Sequence, residues 1–143
     1  MNLIDGSTVI LQHETAPWQE LVRLSAGMLE RKGITTPDYV EGIFESIEKN
    51  GSYMLIAPRV LLAHTRPEKG AVGTGLSLIT TGEDVPFGEE GKPTRLFFTL
   101  AASDSNAHLE LLTHLAEVLA DEALFEELVT TSDAARVQEI LNP

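Results

Sequence analysis

Four histidines, His13, His64, His108 and His114, are the side chains of this chain best suited to chemistry near neutral pH. An imidazole with an ordinary pKa near ~6.5 can serve there as nucleophile or proton carrier. His64 lies in Ala57-Pro58-Arg59-Val60-Leu61-Leu62-Ala63-His64-Thr65-Arg66-Pro67. It comes just past an apolar run and just before a proline-bounded loop, where a scaffold presents functional side chains. Arg59, Arg66 and Lys69 are close by in a chain of 22 acidic and only 10 basic residues. Such cations can hold the negative charge of a phosphoryl group. His108 follows Asp104-Ser105-Asn106-Ala107 in the first turn of an expected helix. Free N–H groups and the helix dipole attract anions at that position. Spacing alone favours plainer readings: a loop histidine beside ordinary surface charges, and a half-buried first-turn residue.

The other candidates are weaker. His114 is six positions after His108, which on a helix of ~3.6 residues per turn points it well away, so the two make a poor metal pair. Glu110 and His114, at i and i+4, can interact on the surface. His13 is expected to be exposed, without an assignable role. There is no His-Glu-x-x-His, EF-hand or Walker pattern, and no serine in a Gly-x-Ser-x-Gly elbow. Gly73 and Gly75 lack the remainder of a dinucleotide fingerprint and fit close packing in a strand. The acidic groups Glu83-Asp84, Glu89-Glu90 and Asp121 to Glu127 read as solvated faces.

The elements that must position these residues follow from periodicity. Thr8-Val9-Ile10-Leu11 reads as a strand. After Ala16-Pro17, Trp18, Leu21, Val22, Ser25, Met28 and Leu29 recur at helical spacing up to a stop at Gly33. Thr36 and Pro37 open a second helix, whose stripe is Tyr39, Val40, Ile43, Phe44 and Ile47, with Asn50-Gly51 as its end. Met54-Leu55-Ile56 and Val60-Leu61-Leu62 are short apolar runs separated by Pro58. Val72 to Ile79 alternates, and Arg95 to Ala102 is a continuous apolar run suited to a strand buried on both faces. Thr81 to Pro93 is expected to be a solvated loop. Ser105 or Asn106 is expected to cap a helix over 107–120, Asp121 a further one through Leu128, and Ser132-Asp133 a last one through Leu141. The order suits an α/β layer protein around a mixed sheet, with residues 1–143 as one domain.

Composition narrows the function classes. The net charge of -12 repels phosphate backbones and anionic membranes, which argues against nucleic-acid binding and favours a partner with a basic docking face. There are no cysteines, so disulfides and Cys-based zinc or redox sites are excluded. No apolar run approaches the ~20 residues that span a bilayer. Met1-Asn2-Leu3-Ile4-Asp5 lacks the basic flank and apolar core of a signal peptide. A soluble cytoplasmic protein is expected.

Around the two central histidines the chain resembles the mannitol/fructose superfamily of enzyme IIA domains of sugar phosphotransferase systems, and within it the ascorbate-type branch. That family's nucleophile stretch commonly reads Ala-Leu-Pro-His-Ala-Arg-Pro-Glu after an apolar strand. Here it is Leu61-Leu62-Ala63-His64-Thr65-Arg66-Pro67-Glu68, preceded by Lys49-Asn50-Gly51-Ser52-Tyr53 and Ile56-Ala57-Pro58. Val85-Pro86-Phe87-Gly88 resembles the family's Val-x-Phe-Gly loop, and Leu100-Ala101-Ala102-Ser103-Asp104 with His108-Leu109 resembles its second histidine motif. Three departures stand out. Arg59 replaces the usual Gly after the proline, Ala63 replaces the Pro before the histidine, and Ser46 or a neighbour occupies the place of an arginine near the end of the second helix.

The resemblance implies the mannitol/fructose-type IIA fold, a single-domain sandwich with a mixed β-sheet flanked by helices. It also implies a phosphotransferase in which His64 takes a phosphoryl group from the phosphocarrier HPr and hands it to a cognate IIB domain. A IIC permease is reached only indirectly. His108 would hydrogen-bond the phosphoryl oxygens, with Arg59 and Arg66 as charge clamps, and no metal or organic cofactor is required. Ascorbate or a similar carbohydrate is the cargo suggested by the branch. A IIA paralogue that regulates by protein binding, switched by phosphorylation, is the alternative. The oligomeric state stays open, a homodimer through the early helices included.

Overall fold

The computed structural model describes residues 3–142. Met1 and Asn2, which open the stretch read for a leader, and Pro143, the end of the expected domain, lie outside the described residues. Among the described residues, five strands form one mixed sheet: β1 (Val9–His13), β2 (Leu55–Ala57), β3 (Arg59–Ala63), β4 (Gly75–Phe87) and β5 (Lys92–Ala101). Their order is β1-β4-β5-β3-β2. β1 runs parallel to β4 and β3 parallel to β5, while the β4–β5 and β2–β3 pairs are antiparallel.

Helices cover both faces. α1 (Trp18–Arg31) and α2 (Pro37–Asn50) lie on one side; α3 (Ser105–Ala120), α4 (Glu122–Thr130) and α5 (Ala134–Leu141) lie on the other. The division is written in the period of two along the central strands. Val60 and Leu62 of β3, with Leu96, Phe98 and Leu100 of β5, enter the core under α3–α5. Leu61 and Ala63, with Phe97 and Ala101, enter the core under α1–α2. Val60, Leu61, Leu62, Leu96, Phe97 and Phe98 are fully buried. Each such side chain contributes ~1.5–3 kcal/mol relative to exposure, so this pair of strands is the rigid centre of the molecule.

Both early helices and all three late ones fall where the periodicity places them. The α3 cap is Asp104 rather than Ser105 or Asn106: its carboxylate accepts the Ala107 N–H at 2.8 Å. Asp121 and Asp133 cap α4 and α5 in the same way.

The expected loop over 81–93 is corrected. β4 and β5 continue as a hairpin through Val85↔Thr94, Pro86↔Pro93 and Phe87↔Lys92, and turn only at residues 88–91. Val85 and Phe87 are buried while Asp84 and Pro86 are exposed, so the alternation decides the conformation despite the local charge and proline content. A register shift between Thr80 and Val85 absorbs the break in the pattern.

The two strands that matter for the site are β3 and β5. Because they are parallel and paired, Ala63 opposite Thr99, their C-terminal ends open on the same edge of the sheet. The residues that follow them, His64 and the α3 start, therefore emerge side by side. Functional crevices of open α/β sheets form at such an edge.

Candidate active site

His64 is the first residue after β3 and is half-buried. Its Nδ1 lies 2.8 Å from the Leu62 carbonyl oxygen. A carbonyl only accepts, so in this contact Nδ1 carries the hydrogen, and a neutral ring keeps its lone pair on Nε2. The His108 ring, in the first turn of α3, stands with its centroid 5.7 Å from that of His64. Burial, and then the charge of His64, hold the His108 pKa below its ordinary value. His108 is therefore neutral at neutral pH, with one ring nitrogen as donor and the other as acceptor. Tyr53, largely exposed, flanks His64 on another side with ring centroids 6.1 Å apart.

The two histidines line a cavity of about 460 Å³ whose other walls come mainly from α2, the turn that follows it with Tyr53 and Met54, and the loop after β3. Its cations are Lys49, Arg66 and Lys69. Arg66 pairs with Glu68 at 3.7 Å and Lys69 with Glu45 at 3.8 Å; Lys49 has no ion pair among the described residues. The cavity is thus a local basic patch in a strongly acidic chain. No group of three metal-ligating side chains suited to an ion occurs among the described residues.

Arg59 is not brought to this cavity, and its expected phosphate role is corrected. It starts β3, at the end of the strand opposite His64, and residues of a strand rise ~3.3 Å each. Its guanidinium pairs with Asp84 and Glu126, both at 3.8 Å, and lies 5.8 Å from the centre of the Phe125 ring. Its φ of 69° is left-handed, a conformation in which glycine is unstrained. That is the physical sense of a glycine at this position in relatives of the resembling pattern.

The remaining histidines lie away from the cavity. His114 Nε2 meets the Leu141 carbonyl at 2.9 Å, tying α3 to α5 instead of pairing with Glu110, and His13 Nδ1 meets the Glu14 carbonyl at 2.7 Å. His13 is half-buried, where exposure was expected. A Cβ on Gly75 would stand 2.7 Å from Ile34 Cδ1, so this glycine gives room to that side chain, whereas Gly73 precedes β4 and a Cβ there would meet Ile34 only at ordinary contact distance.

Sequence reasoning placed Tyr39 only in an apolar stripe and gave Thr65 no part. The structure puts the Tyr39 hydroxyl and the Ser46 hydroxyl on Thr65, the residue next to His64. A buried tyrosine must find a partner for its hydroxyl, which is the one available signal, but it does not say where the partner is.

Residues 2–143 match the family described as "Phosphoenolpyruvate-dependent sugar phosphotransferase system, EIIA 2". This chain belongs to that enzyme IIA family. It is 32% identical over 143 residues to the ascorbate-specific phosphotransferase system EIIA component of Salmonella typhi, covering 99% of this chain and 93% of that protein. Among solved structures it is similar to the mannitol-specific cryptic phosphotransferase enzyme IIA of Escherichia coli. That match has a TM-score of 0.86 and 32% identity, and covers 99% and 98% of the two chains. It is also similar to the Escherichia coli enzyme IIAMTL solved in complex with phosphorylated enzyme IIBMTL, with a TM-score of 0.83 and 26% identity over 96% of each chain. The expected fold, a mixed sheet flanked by helices of the mannitol type, is what the structure and these neighbours show. The enzyme IIA described here is accordingly a phosphotransferase component of a sugar phosphotransferase system. None of its helices, among the described residues, is long and apolar enough to cross a membrane.

Proposed function

We propose that this enzyme IIA takes a phosphoryl group on Nε2 of His64 from the phosphohistidine of HPr and passes it to a cognate enzyme IIB. The observation that carries the reading is the Nδ1–H···O=C bond to Leu62, which leaves Nε2 as the free lone pair in a cavity walled by cations and a second, neutral histidine.

In the forward step the Nε2 lone pair attacks phosphorus. The new N–P bond forms as the donor's N–P bond breaks, and the donor imidazole leaves with that electron pair. His64 keeps its Nδ1 hydrogen, so its ring gains positive charge, and the Leu62 carbonyl that accepts this hydrogen stabilises it. Transfer to the next carrier is the same displacement in reverse. The protein's task is positioning and charge compensation. His108 donates a hydrogen bond to a phosphoryl oxygen, while Lys49 and Arg66 offset the spread negative charge; Lys49 has no carboxylate partner among the described residues. The complex of a similar enzyme IIA with a phosphorylated enzyme IIB supports an enzyme IIB as partner. The relatives' names point to ascorbate or mannitol, hence to a sugar acid or polyol as cargo of the downstream permease.

Intact-mass spectrometry after incubation with phosphoenolpyruvate, enzyme I and HPr tests this reading. One added phosphoryl group in the wild type and none in His64→Ala is expected. A wild type that gains no mass, or a His64→Ala protein that still does, would overturn it. An enzyme IIB that accepts the group separates a transport carrier from a regulatory paralogue, which would be phosphorylated without passing the group on.

A further inference from the structure

The residue after the nucleophile is held more tightly than a loop residue needs to be. Thr65 is buried at 9% exposure and touches α2 at three points. Its backbone N–H donates to the Tyr39 hydroxyl at 3.3 Å, its Oγ1 lies 3.1 Å from Ser46 Oγ, and its Cγ2 would stand 3.1 Å from a Cβ placed on Gly42. Tyr39, Gly42 and Ser46 are spaced i, i+3 and i+7, so they form one helix face against the loop. A side chain at Gly42 would also press on Lys69 Cβ at 3.1 Å, so the glycine permits the close approach.

The tyrosine hydroxyl has one hydrogen and two candidate acceptors, the Leu100 carbonyl at 2.7 Å and the Thr65 carbonyl at 3.3 Å. The shorter contact takes the hydrogen. Tyr39 therefore donates to the end of β5 and accepts from the peptide that follows His64. Its ring is 2% exposed, and burial raises its pKa to about 12, so the hydroxyl keeps its hydrogen throughout the working pH range. One neutral side chain joins α2, the end of β5 and the nucleophile's turn.

We infer that Tyr39, assisted by Ser46, is a positioning residue for phosphoryl transfer: it fixes the His64–Thr65 peptide so that the imidazole stays bonded through Nδ1 to Leu62 and presents Nε2 to the phosphoryl donor. Without it the turn gains freedom, the ring can leave the Leu62 carbonyl, and both tautomers become populated. Small losses of alignment cost rate at an in-line displacement. The inference rests on the proposed role of His64, and the two are separable, because ring tautomer is measured without any transfer.

The test is Tyr39→Phe, which keeps the ring and removes the hydroxyl. Two readouts are taken: the ¹⁵N spectrum of the His64 ring, and the kinetics of phosphorylation by phospho-HPr. The expected result is a His64 ring shifted from a single Nδ1–H tautomer to a mixture, with kcat reduced about tenfold or more and KM for phospho-HPr unchanged. The removed hydroxyl leaves a buried carbonyl and N–H unpaired, which lowers stability. Ser46→Ala, a milder change on the same turn, therefore accompanies it and carries the test if Tyr39→Phe does not fold. It is expected to move the tautomer in the same direction with a few-fold loss of kcat. A folded Tyr39→Phe protein, or failing that Ser46→Ala, with wild-type tautomer and wild-type kcat overturns the inference. A wild type that takes no phosphoryl group sinks the His64 reading instead, while the tautomer shift still decides the positioning role.

Discussion

The two ends of β3 carry the same kinds of residue and use them in opposite ways. At the start of the strand, Arg59 is a cation that pairs with two carboxylates and lies near an aromatic ring, away from the cavity, and its backbone is left-handed. Past the other end, His64 stands among cations, one of which, Lys49, is free of carboxylates among the described residues, and its own ring is half held and half available. The first arrangement is closed and the second is poised for an incoming anion. Linear proximity made Arg59 and Arg66 look equivalent around His64, yet a strand separates one of them from the chemistry and a single residue separates the other.

The largest expected effect of a substitution is at the nucleophile. His64→Ala abolishes phosphorylation by phospho-HPr with the fold retained, as intact mass and circular dichroism would show. His108→Ala, which removes a neutral donor beside the reacting group, is expected to slow transfer by ~10² in rapid-quench kinetics, the scale for loss of one preorganised donor. Arg66→Ala and Lys49→Ala each remove an exposed cation and are expected to cost a few-fold to about tenfold, with the loss growing at low ionic strength. Arg59→Gly is expected to leave the transfer rate unchanged. Its stability should stay within ~1 kcal/mol of wild type in urea melts, since lost exposed ion pairs and relieved backbone strain oppose each other. A transfer defect in Arg59→Gly as large as that of Arg66→Ala would erase the distinction between the two ends.

A pH dependence sharpens the same contrast. The folded pKa of His108 is depressed, so between it and the ordinary value the unfolded chain binds a proton that the folded chain does not. The stability linked to His108 is therefore fully present above pH ~6.5 and is lost as pH falls through that region. The wild type is expected to lose more of its thermal midpoint than His108→Gln on going from pH 8 to pH 5.5. Equal losses would mean that the burial of His108 carries no linkage.

Much of this was legible in local pattern. The helix stripes of Leu21 to Leu29 and Tyr39 to Ile47, the two-sided run from Leu96 to Ala101, and the aspartates that cap α4 and α5 all act through near neighbours in the chain. His64 and His108 were picked out by their places after a strand and at a helix start. Their meeting depends on β3 and β5 lying side by side in parallel, which no local signal states. The 81–93 segment reads as a loop from its glycines, prolines and acidic residues, and only its pairing partner across the hairpin decides otherwise. Tyr39 is hidden for the same reason: its hydroxyl partners lie 26 and 61 positions away, and all three partner atoms belong to the backbone, which side-chain identity does not announce.

The most direct test of the account is the ¹⁵N spectrum of the protein phosphorylated on ¹⁵N-labelled histidine. The expected spectrum shows one phosphorylated ring, that of His64, with phosphorus coupled to Nε2 and the hydrogen still on Nδ1. Phosphorus on Nδ1 of His64, or on the His108 ring, would contradict the assignment of the lone pair and with it the reading of the whole cavity.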